Sequence, residues 1–157
     1  MSRGAAALAC AAPEESVQRM LTPLTVVMSR PVVCVGPDES AEAALRLLVE
    51  HGISGLPVVD ALCRPIGMLS RADLLEERLE ALTEGEFGAP PRVRDLMTQQ
   101  TVSLPETALV REAAVLMASY GVHRVPVLSP AGTVVGIVST LDVLRWIAGP
   151  EGLASVQ

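Results

Sequence analysis

The apolar residues of the chain recur at two spacings, one typical of helices and one typical of strands. A helical spacing predicts amphipathic helices over 41–51 and 109–120, and further helices are predicted to begin at Ser70 and Ser139. Short apolar runs bounded by turn residues predict β-strands at 32–35, 56–59, 66–69, 101–104, 125–128 and 134–138.

The same order of elements occurs twice, at a constant offset of 69 residues. Gly67 to Leu75 reads GMLSRADLL, and Gly136 to Leu144 reads GIVSTLDVL. Each copy is too short to bury much apolar surface, so two copies are expected to share their sheet faces. The predicted fold class is α/β, with tandem β-α-β-β-α repeats related by pseudo-twofold symmetry. The predicted segments are a tail (1–23), a first repeat (24–80), a linker (81–91), a second repeat (92–149) and a tail (150–157).

The doubled motifs resemble those of a CBS-domain pair, also called a Bateman module. They are Asp95-Leu96-Met97, the glycine-to-Pro-Val runs 52–58 and 121–127, and the two Ser-x-x-Asp stretches. The resemblance covers about residues 26–147. It implies a regulatory sensor of AMP, ADP or ATP, with S-adenosylmethionine, NAD or cyclic dinucleotides as other ligands. It also implies a homodimer, and we expect this chain to stand alone and not to be attached to an enzyme or transporter.

Composition narrows the function classes. The formal net charge is −6, no lysine is present, and aromatic residues are scarce, so a nonspecific nucleic-acid or membrane surface is not expected. The three cysteines lack metal-like spacing and are expected to be free thiols in a reducing cytoplasm. The apolar stretch 4–12 is similar to a lipoprotein signal around Cys10, but it lacks large apolar residues, so a frayed tail is expected.

The two Ser-x-x-Asp stretches have two interpretations. A serine followed by an acid three residues later is a helix capping box, which needs no ligand. The resemblance adds a second role, in which Asp73 and Asp142 hold a ribose and Ser70, Ser139 and Thr140 lie near phosphate. The sequence leaves both interpretations open.

The copies differ just before their Pro-Val motifs. The second copy has His123-Arg124, which resembles the His-Arg pair of the AMP-activated protein kinase gamma subunit and implies phosphate contact. The first copy has Ser54-Gly55 there, so it should bind phosphate more weakly unless Arg71 compensates. The candidate residues for the adenine slots are Val102 and Val122 in the second copy and Val33 and Ile53 in the first.

An enzyme is not expected, because the sequence lacks a phosphate loop with lysine, a recognisable nucleophile triad and metal-like histidine spacing. The alternative function is a ligand-free CBS dimer that acts as a scaffold for a partner protein. A DNA-binding regulator is a third and weaker class, because no helix-turn-helix segment is left outside the repeats.

Overall fold

The computed structural model describes residues 13–84, 90–99 and 102–154. The helices are α1 (Pro13–Met20), α2 (Leu24–Val27), α3 (Ala41–Glu50), α4 (Arg71–Glu84), α5 (Val93–Leu96), α6 (Val110–Tyr120) and α7 (Thr140–Ala154). The strands are β1 (Gly55–Val59), β2 (Pro65–Ser70), β3 (Leu104–Pro105), β4 (Arg124–Leu128) and β5 (Val134–Ser139). This order places an equivalent hairpin, flanked by helices, in each copy.

The two hairpins have matching registers. Strand β1 pairs antiparallel with β2, and Gly55 lies opposite Ser70. Strand β4 pairs antiparallel with β5, and Arg124 lies opposite Ser139. Strand β3 adds a parallel edge to β4. In both hairpins the pairing register shifts just before the last residue of the first strand, at Val58/Val59 and at Val127/Leu128. The two copies therefore share this irregularity as well.

The predicted first strand, 32–35, is reduced to a bridge between Val35 and Val58, so that prediction was too long. Its counterpart is the two-residue strand β3. The reason in the first copy lies just upstream, where Ser29 pairs with Ile137 of the second copy. The intervening Val32 and Val33 line a cavity and do not continue the ladder.

Each copy has its own apolar core. In the first copy, the fully buried Leu48 of α3 packs with Leu56 and Val58 of β1. In the second, Val110 of α6 packs with residues of β4 and β5. The glycines that follow α3 and α6 have φ of +63° and +64°, which fits helix stops in the left-handed conformation.

Reciprocal pairing joins the copies. Ser29 bonds to Ile137, and Thr98 bonds to Met68, with N···O distances of 2.9 to 3.3 Å. Ser29 and Thr98 are 69 residues apart, and so are Met68 and Ile137. The two pairs are therefore equivalent contacts, as expected across a twofold axis. Next to them, Met28 covers Gly136 and Met97 covers Gly67, which explains why the stretches 67–75 and 136–144 both begin with glycine. The structure therefore has the predicted tandem repeat and its pseudo-twofold symmetry.

Hydrogen bonds connect α1, at the start of the described chain, to α7. The indole Nε1 of Trp146 donates to the carbonyl of Arg19 at 2.9 Å, and Arg19 Nη1 donates to the carbonyl of Ile147 at 3.0 Å. The guanidinium lies against Gly149, whose φ of +66° interrupts α7. Among the described residues, no helix combines the length and apolarity needed to cross a membrane.

Candidate functional site

A cavity of about 490 Å³ lies between the copies and opens to solvent. Its volume is within the range of small-molecule pockets. The first copy contributes Ser29, Pro31, Val32, Val33, Gly52, Ile53, Ser54 and Gly55, and the second contributes His123, Arg124, Ile137, Ser139, Thr140, Leu141, Asp142 and Arg145. Its wall combines aliphatic side chains with hydroxyls, one carboxylate and two guanidinium groups.

The structure brings together seven of the twelve site residues predicted from the sequence. The cavity is lined by Val33, Ile53, His123, Arg124, Ser139, Thr140 and Asp142. The other five, which are Ser70, Arg71, Asp73, Val102 and Val122, do not line it. Val122 packs against the core of the second copy.

The cavity combines an apolar wall from one copy with polar residues of the other. The sequence names Val102 and Val122 as adenine candidates in the second copy and Val33 and Ile53 in the first, and it assigns neither pair to Asp142 or Asp73. In the structure, Val33 and Ile53 line the cavity that contains Asp142. The reason is the pairing of Ser29 with Ile137, which brings the start of the first copy onto the last strand of the second.

Ser139 and Asp142 form a helix capping box at the N-terminus of α7. Asp142 Oδ2 accepts from the Ser139 backbone N at 2.8 Å and from Ser139 Oγ at 2.6 Å. Ser139 Oγ in turn accepts from the Asp142 backbone N at 3.2 Å. Among the described residues, no hydrogen bond reaches Oδ1 of Asp142. Capping is therefore present, and it uses one carboxylate oxygen while the other can still accept from a ligand.

Ser70 and Asp73 repeat this geometry in the first copy. Asp73 Oδ2 accepts from the backbone N and Oγ of Ser70, both at 2.7 Å. Arg71 Nη2 donates to the carbonyl of Leu48 at 3.0 Å, a contact with the last turn of α3. This bond explains Arg71 as a structural residue, and its phosphate contact stays a prediction. A ribose role for Asp73 also stays a prediction.

The start of α7 is also fixed by Thr140. Its backbone N and its hydroxyl both donate to the carbonyl of His123, at 3.0 and 3.4 Å. In the first copy the backbone N of Arg71 donates to the carbonyl of Ser54 in the same way. The loop before each strand is thereby tied to the helix that follows the hairpin, which sets the positions of His123 and Arg124 beside Asp142.

Arg124 reaches across to the first copy. Its Nη2 donates to Oγ of Ser54. Burial lowers the pKa of the Arg124 guanidinium, and the negative charge of Asp142 opposes that shift. An arginine retains its charge under such a shift, so the cavity contains a partly desolvated cation.

Sequence reasoning missed three polar residues of the cavity, which are Ser29, Ser54 and Arg145. Arg145 lies one turn beyond Asp142 on α7, and its three-residue spacing from Asp142 is a signal that could have identified it. Ser54 was noted only as the place where the His-Arg pair is missing, although its hydroxyl is the acceptor for Arg124. A contact between copies leaves no such signal in the local sequence.

Cys34 and Cys63 do not line this cavity. Cys34 and Cys63 are free thiols, and burial raises the pKa of Cys34. Cys10 lies outside the described residues. Among the described residues, no group of three or more potential ligands could hold a metal ion.

A scan against family models matches the CBS domain twice, over residues 25–80 and 93–149. The chain belongs to the CBS-domain family. The two matches correspond to the two copies recognised from the 69-residue offset.

Curated relatives contain this CBS pair as part of longer chains. Inosine-5'-monophosphate dehydrogenase of Korarchaeum cryptofilum is 34% identical over 114 residues, which cover 73% of this chain and 22% of the relative. An uncharacterized protein of Methanopyrus kandleri is 30% identical over 119 residues, which cover 76% of this chain and 59% of the relative. This chain thus matches less than two thirds of the length of either relative.

Solved CBS pairs have the same fold. The CBS domain pair of protein MJ0100, in complex with 5'-methylthioadenosine and S-adenosyl-L-methionine, matches with a TM-score of 0.71 and 26% identity, covering 82% of this chain and 98% of that one. CBSX2 in complex with AMP matches with a TM-score of 0.66 and 30% identity, covering 79% of this chain and 94% of that one.

Proposed function

We propose that this CBS pair is a regulatory module that binds an adenosine-containing ligand in the cavity between its copies. The observation that carries the proposal is Asp142, which lines the cavity and has one carboxylate oxygen that no donor among the described residues reaches. A ribose hydroxyl can donate to that oxygen. Val33 and Ile53 supply apolar surface for a base, and Arg124 supplies a cation for phosphate.

The named ligands of similar structures agree with this choice. MJ0100 was solved with two adenosine derivatives and CBSX2 with AMP. Arg124 and Arg145 at the same cavity favour AMP, ADP or ATP over uncharged adenosine derivatives. We therefore place AMP, ADP and ATP first, and S-adenosylmethionine and NAD after them.

The role we propose is regulatory and not catalytic. The cavity is formed by both copies, so a ligand that contacts both walls can favour one relative arrangement of the copies over another. It can do so only through different affinities for the two arrangements. We further propose a cytoplasmic location, because Cys34 and Cys63 are free thiols.

A thermal-shift panel on nucleotide-stripped protein tests the ligand. The panel contains AMP, ADP, ATP, NAD, S-adenosylmethionine and a cyclic dinucleotide. At about 100 times Kd, binding should stabilise the fold by roughly 2.7 kcal/mol, or about 5–11 °C in Tm for a chain of this size. We expect the largest shift in Tm with AMP, ADP or ATP. If no ligand shifts Tm, the sensor function is contradicted and the scaffold function becomes the better one.

Exposed apolar side chains on the helices favour self-association. They also favour the alternative function, a ligand-free dimer that acts as a scaffold for a partner protein. Leu75 on α4 and Leu144 on α7 occupy equivalent positions and are 60% and 57% exposed. Equivalent patches on both copies suit a second molecule of the same chain, because a twofold interface uses one surface twice. We propose a homodimer formed through this surface.

Replacing both leucines by aspartate should convert the dimer to a monomer, because the dimer would bury two charges in each subunit's apolar contact. Light scattering coupled to size-exclusion chromatography measures the mass. Leu62→Asp is the matched control, since Leu62 is 63% exposed but lies in the turn between β1 and β2. A parent protein that is monomeric, or a double variant that stays dimeric, would contradict this interface.

A further inference from the structure

Gly55 and Arg124 occupy equivalent positions, 69 residues apart, and they lie against each other. Each is the first residue of its strand and lies opposite the serine that caps the next helix. A methyl carbon on Gly55 would be 3.1 Å from Nη1 of Arg124. Two equivalent positions that touch must lie at the pseudo-twofold axis. The copies therefore meet at this pair.

The guanidinium of Arg124 lies in the space beside Gly55 at this axis. Arg124 extends into the volume that a side chain at position 55 would occupy. Its Nη2 donates to Ser54, the residue equivalent to His123. The difference between Ser54-Gly55 and His123-Arg124 is thus a complementary pair, in which the small residues of one copy accommodate the large ones of the other.

The guanidinium has unused donors. It carries five N–H groups, and the described residues supply it with the hydroxyl of Ser54 and no carboxylate within 4.0 Å. It is partly buried beside the cavity, and the charge of Asp142 opposes the effect of burial without forming an ion pair with it. A phosphate group has the charge and the acceptor oxygens that the unused donors require.

We propose that Ser54 and Gly55 are positioning residues that hold Arg124 at the cavity, and that they set its preference for phosphorylated over unphosphorylated adenosine ligands. Ser54 fixes the guanidinium by accepting one hydrogen bond, and Gly55 leaves the space that the guanidinium fills. The inference rests on the proposed function, because it concerns the phosphate side of the same cavity.

Calorimetric titration with AMP and with adenosine tests the inference as a ratio of the two Kd values. The parent chain should bind AMP at least about tenfold more tightly than adenosine, the effect of one charge-assisted contact. Ser54→Ala and Gly55→Val should lower that ratio about fivefold, with the Kd for adenosine changed less than about twofold. Arg124→Gln should lower it as far or further.

Three further variants separate positioning from a general loss of structure. Ser54→Thr keeps the hydroxyl and should keep the ratio. In an Arg124→Gln background, Ser54→Ala should change the ratio no further, because the guanidinium that it positions is gone. Gly36→Ala is the matched glycine control, since a carbon there would meet only Glu39 Cγ at 3.8 Å.

The outcomes are distinguishable. A ratio near one in the parent, or an unchanged ratio in both Ser54→Ala and Gly55→Val, overturns the inference while leaving adenosine binding intact. If the parent binds neither AMP nor adenosine, the proposed function fails, and the inference fails with it. A ratio that falls in Ser54→Ala and in Gly55→Val but stays at the parental value in Ser54→Thr confirms the positioning role.

Discussion

Replacing Asp142 by alanine is expected to weaken binding of an adenosine nucleotide by about a hundredfold or more. The carboxylate is the proposed acceptor for the ribose hydroxyls, and each hydrogen bond to a charged group contributes about 1.5–3 kcal/mol. Two such bonds account for the expected factor. Isothermal titration with AMP measures Kd directly, and it does not depend on the stability of the variant as long as the variant is folded.

Asp142→Ala also removes a helix cap, so its loss of stability must be separated from its loss of binding. Capping residues contribute about 1 kcal/mol, and Asp142 caps α7 through Oδ2. Asp73→Ala is the matched control, because Asp73 has nearly the same capping geometry on α4 but does not line the cavity. Both variants should lose similar stability, and only Asp142→Ala should lose the tighter AMP site.

Asp142→Asn divides the two roles within one residue. Its amide oxygen can replace Oδ2 as the acceptor in the cap, while its amide nitrogen cannot accept from ribose. We expect near-parental stability with binding weakened almost as far as in Asp142→Ala. If Asp142→Ala binds AMP with the parental Kd, the carboxylate is a cap alone and the ribose role is wrong.

Local features of the fold follow closely from the sequence. The offset of 69 residues gave the order of elements, and the serine and aspartate at Ser-x-x-Asp spacing form the capping boxes in both copies. The glycines that follow α3 and α6 have the positive φ that is typical of helix stops. These features depend on residues within one turn of each other, where spacing determines contact.

The composition of the cavity did not follow from the sequence. A repeat shows that Val33 and Val102 are equivalent, but it does not show whether Val33 lies beside Asp73 or Asp142. That choice depends on how the copies pack, and both arrangements give the same offset. The reciprocal pairs Ser29–Ile137 and Thr98–Met68 decide it, and they are hydrogen bonds between backbones, which side-chain patterns do not encode. The contact between Arg124 and Ser54 was missed for the same reason.

The same reciprocal packing makes Gly67 and Gly136 differ in how well each position tolerates an added methyl group. At Gly67, an added Cβ would lie 2.7 Å from Met97 Sδ and 2.9 Å from the carbonyl oxygen of Thr98. That carbonyl accepts from the Met68 backbone N at 3.0 Å, so it cannot move without opening the contact between the copies. At Gly136, the three nearest atoms all belong to the side chain of Met28.

Gly67→Ala is therefore expected to destabilise the protein by about 2–3 kcal/mol, and Gly136→Ala by about 1–2 kcal/mol, within the usual range for overpacking. A methionine side chain can change rotamer to relieve a clash, whereas a paired backbone carbonyl cannot. Urea denaturation measures both values, with Gly36→Ala as the nearly neutral control.

A second substitution at each contact tests the cause. Met28→Ala should offset much of the cost of Gly136→Ala, because it removes Cγ, Sδ and Cε, the three atoms that the new methyl group meets. Met97→Ala should offset less of the cost of Gly67→Ala, because the Thr98 oxygen remains in place. Equal costs for the two alanines, or equal rescue at both sites, would show that the backbone contact does not limit Gly67. In that case the close approach of Thr98 would not be the reason for glycine at this position.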